Sequence, residues 1–276
     1  MKRTSPITHL LLSLAALLVA VTLAPSGFAQ SRNADKQSAS APPARALLSI
    51  QYLRVKRELA AEWREFRKNE TLPMLQKAGI RQQTVWNTAN FGEGGMLVVT
   101  PIESLAQYDN PGPAVRALGQ EGAAAYNAKG ARFIESSHTV AIETRPDLSS
   151  PPAADYQPGI VVITTTTIMT GRDDEYENFI KTSVLPVVKK AAPKGYLVAR
   201  VVYGGNLNQY TSVVLLDSFA DLQKYRETFN REAAAARLAA KSAGIVMSRE
   251  NAIYRLNPEL SIQPQQQKAE NRPGRD

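Results

Sequence analysis

The side chains that could do chemistry in this chain are few. The sequence has no cysteine and two histidines, which excludes disulfides, thiolate metal sites and a cysteine nucleophile. His138 can accept and release a proton near neutral pH, and an imidazole can also ligate haem in an apolar pocket. Because His138 precedes or begins a predicted strand, a histidine at a strand edge with no chemical role is the alternative.

Aromatic and polar residues on predicted strands are the other candidates, since such side chains can face a pocket. The predicted ligand-binding set is Tyr52, Trp86, His138, Arg200 and Tyr203. Tyr210 holds a similar strand position. The alternative is that these rings belong to the core, where tyrosines with bonded hydroxyls are common.

The sequence offers no familiar catalytic or metal motif. It lacks a Gly-x-Ser-x-Gly elbow, a Walker loop and a Gly-x-Gly-x-x-Gly turn. The acidic run Asp173-Asp174-Glu175 could attract a cation, but calcium needs six or more oxygens from a shaped loop. Acids at the start of a helix are more simply caps, with Asp173 or Asp174 as the capping residue. We therefore predict no metal and no cofactor, and assign no catalytic residue.

The N-terminus has the three parts of a secretory signal. Lys2 and Arg3 precede an apolar run over residues 10–24, and Gly27-Phe28-Ala29 offers the small residues that a signal peptidase reads. We predict cleavage after Ala29 and a periplasmic or secreted protein, which leaves His138 as the only histidine. An uncleaved anchor is the alternative, although the run is shorter than the ~20 residues of a spanning helix. No later segment approaches that length.

Composition and charge exclude other classes of protein. The 276 residues are 43% hydrophobic and 21% charged, with 33 Lys+Arg against 25 Asp+Glu, which is typical of a globular chain. The basic excess is dispersed and forms no stripe with interleaved aromatics, so no nucleic-acid partner is predicted. An exported protein without cysteine must be stabilised by its core alone, and a chain of this length can bury one.

The two halves of the chain repeat each other in the same order, which indicates a duplication. Aromatic pairs, a Leu-Pro step, a glycine and a Pro-acid-Leu-Ser tetrapeptide all recur. The matches are Trp63/Phe66 with Tyr176/Phe179, Leu72-Pro73 with Leu185-Pro186, Gly92 with Gly205, and residues 146–149 with 258–261. Trp86 aligns with Ala199 and Asn87 with Arg200, so the two halves are expected to have different pockets.

Each half is predicted to run strand, helix, strand, strand, helix, strand. The repeats span residues 46–149 and 159–261, joined by a linker at 150–158. Residues 30–45 and 262–276 lack the apolar side chains needed to order themselves. The second half is predicted to contain a break at Pro186 and one long helix from Asp221 to Ala243.

Several predicted strands are apolar on both faces, SVVLL and MLVVT among them, so both faces must be covered. Each half's own helices can cover one face, and the other half's sheet can cover the second. We therefore predict an α+β protein in which eight strands close into a barrel-like sandwich with helices outside.

The strand and helix order, the paired aromatics and the recurring glycine resemble the dimeric α/β-barrel superfamily. The resemblance covers residues 46–261 and is closest to the NIPSNAP-like and antibiotic-biosynthesis-monooxygenase-like branches. It implies two ferredoxin-like βαββαβ units fused in one chain and paired as an intramolecular dimer. That superfamily includes cofactor-free monooxygenases, haem enzymes, isomerases and proteins without a known reaction, so the resemblance does not decide the activity.

Two functions remain open at this point. The first is a non-catalytic exported protein that binds a small apolar or aromatic ligand or has a structural role; the lack of any acid–base or metal constellation favours it. The second is a cofactor-free, monooxygenase-like oxidoreductase acting on a small aromatic or quinol substrate positioned by His138, Trp86 or a pocket tyrosine. The second needs an enclosed cavity of about several hundred Å³ with converging polar groups, and the first does not.

Overall fold

Eight antiparallel strands close into a barrel in the computed structural model, which describes residues 44–154 and 156–263. The predicted signal lies outside these residues, as does the chain after residue 263. The order around the barrel is β1-β3-β2-β8-β5-β7-β6-β4. The strands are β1 (Leu47–Val55), β2 (Thr84–Thr88), β3 (Met96–Ile102), β4 (Ile134–Thr144), β5 (Ile160–Ile168), β6 (Gly195–Tyr203), β7 (Gln209–Leu216) and β8 (Val246–Leu256). The predicted α+β class and the barrel are confirmed.

Helices follow the first and third strand of each half. They are α1 (Ala60–Phe66), α2 (Leu72–Lys77), α3 (Pro113–Ala131), α4 (Asp173–Phe179), α5 (Leu185–Ala191), α6 (Phe219–Ala235) and α7 (Leu238–Ser242). A π-helical turn separates α1 from α2 at Arg67–Thr71, and another separates α4 from α5 at Ile180–Val184. Among the described residues, no helix is both long and apolar enough to cross a membrane.

The strands carry apolar residues on both faces because both faces are covered. In β5, Val161 and Ile163 lie in a cluster inside the barrel. Ile160 and Ile168 belong to a second cluster with Tyr176 and other helix residues outside the barrel. Side chains alternate across a strand. One set of β5 side chains therefore faces the barrel interior, and the alternate set faces the helix layer. The prediction from the two-sided apolar pattern is confirmed.

Strands of the two halves meet at two seams. Trp86 on β2 pairs with Leu256 on β8, and Ile142 on β4 pairs with Val201 on β6. Neither half closes a barrel with its own four strands. The interior is therefore enclosed by both halves together.

The repeated tetrapeptides cross from one half to the other. Leu148, just after β4, is 1% exposed in the cluster beneath α4 and α5, and Leu260, just after β8, is 1% exposed in the cluster beneath α1. The following serines bind the same way, since Ser149 Oγ accepts from the Val198 amide and Ser261 Oγ from the Val85 amide, both at 2.9 Å. We call residues 146–149 and 258–261 the exchanged segments.

The recurring glycines lie where a loop of one half crosses a strand of the other. A Cβ on Gly92 would lie 3.0 Å from the Cβ of Ala252, and a Cβ on Gly205 would lie 3.0 Å from Cγ1 of Val140. These distances are shorter than normal van der Waals contacts, so any side chain at either position would force its neighbour to move. Glycine therefore recurs at these two positions because a loop of one half passes close to a strand of the other half at each seam.

Three local predictions meet different outcomes. The break at Pro186 is confirmed, because a new helix begins at Leu185 with the proline in its first turn. The single helix Asp221–Ala243 is wrong, because Arg237 takes a left-handed conformation (φ 53°) and separates α6 from α7. The prediction that Asp173 or Asp174 caps α4 is also wrong, because Arg172 holds that position without a side-chain cap and the acids lie in the first turn.

Candidate functional site

The barrel interior contains a cavity of about 120 Å³. Side chains from all strands but β8 form its wall, and most of them are aliphatic, with two aromatic residues and two threonines among them. The lining residues are Leu48, Ile50, Tyr52, Trp86, Leu97, Val99, Ile142, Thr144, Pro152, Val161, Ile163, Leu197, Val198, Ala199, Thr211, Val213 and Leu215. No charged side chain is among them, so the cavity suits an uncharged molecule.

One side of the cavity carries aromatic side chains, and the opposite side contains its smallest residue, Ala199, among larger aliphatic residues. On the first, Trp86 pairs across strands with Leu97, which in turn pairs with Tyr52. On the second, Ala199 pairs with Thr211. The sequence alignment of Trp86 with Ala199 therefore marks two opposed positions that differ greatly in size. The cavity is thus lined by the large indole of Trp86 on one side and by the methyl group of Ala199 on the other.

Trp86 presents its ring to the cavity and keeps its polar atom bonded. The side chain is 6% exposed, and Nε1 donates to Thr84 Oγ1 at 3.0 Å. Because the N–H is satisfied within its own strand, the indole offers a ligand an apolar face. Trp86 therefore forms a wall of the cavity.

Tyr52 lines the cavity, and His138 stacks beside it without being one of the lining residues. They are cross-strand partners on β1 and β4, with ring centroids 6.3 Å apart and ring planes 25° apart. The Tyr52 side chain is 38% exposed, and His138 is exposed as well. Burial raises the pKa of the Tyr52 phenol, and the neighbouring Tyr254 raises this pKa further. The phenol is therefore protonated at neutral pH and can donate a hydrogen bond.

Arg200 and Tyr203 do not line the cavity. Leu197 and Ala199 on β6 face the interior, so by alternation Arg200 faces the helix layer. There its Nη2 lies 2.8 Å from Asp173 Oδ1, and its guanidinium lies over the Tyr210 ring. Tyr203 is 56% exposed at the end of β6. Arg200 therefore has no direct contact with the cavity, which corrects its predicted place in the pocket.

A polar cluster around Arg145 was not anticipated. Arg145 is buried and donates to Asp147 Oδ2 at 2.8 Å and to Glu177 Oε2 at 2.6 Å, and the Tyr210 hydroxyl donates to Glu177 at 2.8 Å. The hydrogen bond from Arg145 holds the pKa of Asp147 below its usual range. These groups join an exchanged segment to α4. In the sequence, the only feature that pointed to this cluster was the position of Arg145 directly before the repeated tetrapeptide.

The residues present do not fit a metal ion or haem. Within residues 44–154 and 156–263, no group of three or more His, Asp or Glu side chains is arranged to hold a metal. His138 is exposed beside Tyr52 and is not a lining residue of the cavity, and the cavity is smaller than the ~300–1,000 Å³ of typical cofactor sites.

Solved structures of monooxygenase-like proteins have a similar fold. A proposed monooxygenase from Fusobacterium nucleatum is 11% identical, with 77% of this chain and 92% of that chain aligned at a TM-score of 0.50. A second, from Lactobacillus acidophilus, is 10% identical over 80% and 97% of the two chains at 0.49. An anthrone oxidase-like protein is 13% identical over 77% and 91% at 0.48.

These similarities concern the fold alone. The chain has the α/β-barrel fold of monooxygenase-like proteins. No protein-family model matches the sequence, and no curated protein matches it.

Proposed function

We propose that this chain is a cofactor-free, monooxygenase-like oxidoreductase that acts on a small aromatic or quinol substrate held inside the barrel. The observation that carries the proposal is the apolar cavity lined by Tyr52, with His138 stacked beside that ring. At about 120 Å³ the cavity is smaller than the several hundred Å³ expected for this function from the sequence, so the proposed substrate is a single-ring molecule. The description of the Fusobacterium nucleatum protein of similar fold as a monooxygenase supports it over a purely ligand-binding role.

A phenol can supply the electrons for such a reaction. In this proposal, a phenol with a free para carbon takes one oxygen atom from O₂ and becomes a quinone. Its hydroxyl hydrogen and its para hydrogen leave with the second oxygen atom as water. The ring carbon is oxidised and O₂ is reduced, so no separate reductant is required.

Tyr52 and its neighbour His138 suit the first step, which is loss of the phenol proton. His138 is the group that accepts this proton, and the protonated Tyr52 hydroxyl donates a hydrogen bond to the oxygen that becomes negative. The aliphatic wall excludes water from the ring and accommodates O₂, which is itself apolar. Deprotonation makes the ring a better electron donor toward O₂.

The test is oxygen uptake by the purified chain with phenol, whose para carbon is free. Replacing His138 with alanine is expected to lower kcat about 100-fold, since a positioned base contributes roughly 10²–10⁴. Tyr52→Phe is expected to lower kcat less and to leave phenol binding in place. Tyr203→Phe is the matched control, because Tyr203 lies outside the cavity lining, and it is expected to retain full activity.

Two further measurements sharpen this test. Added imidazole is expected to restore part of the His138→Ala activity, which a merely structural histidine would not show. If the chain binds phenol yet consumes no oxygen with it, the catalytic proposal is wrong and a ligand-binding protein remains.

We also propose that the chain consists of two fused ferredoxin-like repeats of the NIPSNAP-like kind, paired as an intramolecular dimer. The residues that recur in the two halves support this proposal, because each pair occupies structurally equivalent positions in the barrel. Leu148 and Leu260 lie in the core of the opposite half, and Gly92 and Gly205 lie at the two seams. One chain then supplies both sheets that simpler members of the superfamily bring together from two chains.

Export is a further proposal, based on the sequence of residues 1–29. Expression with the native N-terminus in a Gram-negative host is expected to give a periplasmic protein that begins at Gln30. N-terminal sequencing checks this, with a chain lacking residues 1–29 as the cytoplasmic control. Recovery of a membrane-bound product that still contains residues 10–24 would show that the segment is an anchor.

A further inference from the structure

We infer that the cavity selects an uncharged ligand with a single aromatic ring, and that Ala199 is the residue that sets this limit. The inference names the substrate class of the proposed oxidoreductase and so rests on the same site. Its own support comes from the size of the cavity, the chemistry of its wall and the opposition of Ala199 to Trp86.

The size of the cavity fits one ring. Its volume is about 120 Å³, and a protein cavity of about 150 Å³ lined by aliphatic and aromatic side chains is known to take up benzene. Fused two-ring molecules need more space than this. Protein interiors are packed at crystal-like density and do not expand freely to admit them.

The chemistry of the wall excludes charged ligands. The lining contains no Lys, Arg, Asp or Glu, and an ion moved into such a site loses its hydration without gaining a partner. A neutral hydroxyl is tolerated, because Tyr52 and Thr211, two residues that carry hydroxyl groups, are among the lining residues. Thr144 is less suited to this role because its Oγ1 already accepts from the Ala46 amide at 2.8 Å. The accepted class is therefore phenol or hydroquinone and excludes benzoate or aniline in its charged form.

Ala199 is the residue that leaves room for the ring. It holds the position in the second half that Trp86 holds in the first, and both side chains line the cavity. Ala199 is itself 7% exposed, so a larger side chain there can extend only into the cavity or into packed neighbours. The methyl group thus determines how much of the interior a ligand can occupy.

The experiment is calorimetric titration of the full chain with phenol, 2-naphthol and benzoate. We expect phenol to bind at least tenfold more tightly than either of the others. Ala199→Leu is expected to weaken phenol binding at least tenfold with an unchanged circular dichroism spectrum, and Ala199→Val to give a smaller loss if the leucine variant fails to fold. Trp86→Ala is expected to gain affinity for 2-naphthol. Ala128→Leu on the exposed face of α3 is the control and should leave all three affinities unchanged.

The outcomes separate this inference from the proposed function. Equal binding of phenol and 2-naphthol, or phenol binding unaffected in a folded Ala199→Leu or Ala199→Val chain, would overturn the inference even if oxygen uptake occurs. Selective phenol binding that depends on Ala199 supports the inference even if no oxygen is consumed, and in that case only the catalytic proposal fails.

Discussion

Truncating Leu148 or Leu260 to alanine is expected to lower the free energy of unfolding by about 2–5 kcal/mol in each case. Both side chains are 1% exposed, and each fills the core of the half to which it does not belong in sequence. The alanine variants lose the transfer free energy of the removed groups and leave a cavity beneath a helix pair. They also weaken the attachment of one half to the other.

Urea denaturation followed by circular dichroism measures these losses. Leu118→Ala on α3 is the matched control, because that side chain is 40% exposed, and it should change the free energy of unfolding by less than about 0.5 kcal/mol. Losses below ~1 kcal/mol for both Leu148→Ala and Leu260→Ala would mean that the exchanged segments do not hold the halves together.

The strands and the barrel were predictable because their signal is local. β-branched runs over Ile160–Ile168 and Gln209–Leu216 specify strands directly. Apolar residues on both faces of these strands required a cover on each side, and only the other half's sheet was available. The architecture therefore followed from the sequence pattern together with simple burial requirements.

The role of the repeated tetrapeptides could not be predicted in the same way. The match of residues 146–149 with 258–261 indicated a duplication, yet it gave no sign that Leu148 and Leu260 exchange places. That exchange depends on contacts between residues far apart in the chain. Such contacts are set by the closure of the barrel, and no local pattern encodes them.

The face on which a strand residue lies was the weakest part of the site prediction. A change of one position moves a side chain to the opposite face, and this is the difference between Ala199 in the cavity and Arg200 in the helix layer. Trp86 and Tyr52 do line the cavity, whereas the small size of the cavity depends on packing.

Both halves build one barrel, and the interior of that barrel is the proposed ligand site. Neither half closes the barrel alone, and the first half by itself would expose the apolar face that the second covers, well above the few hundred Å² typical of a soluble monomer. The linker serves to keep the two sheets together, at an effective concentration in the ~mM range.

Cutting the linker tests this claim most directly. A protease site inserted between Ala153 and Ala154 lies beyond Pro152, the linker residue that lines the cavity. After cleavage, sedimentation at micromolar concentration is expected to show one particle containing both fragments, which binds phenol as the uncut chain does and separates only in denaturant. Two separate, folded, monomeric fragments, or phenol binding by one fragment alone, would contradict the account.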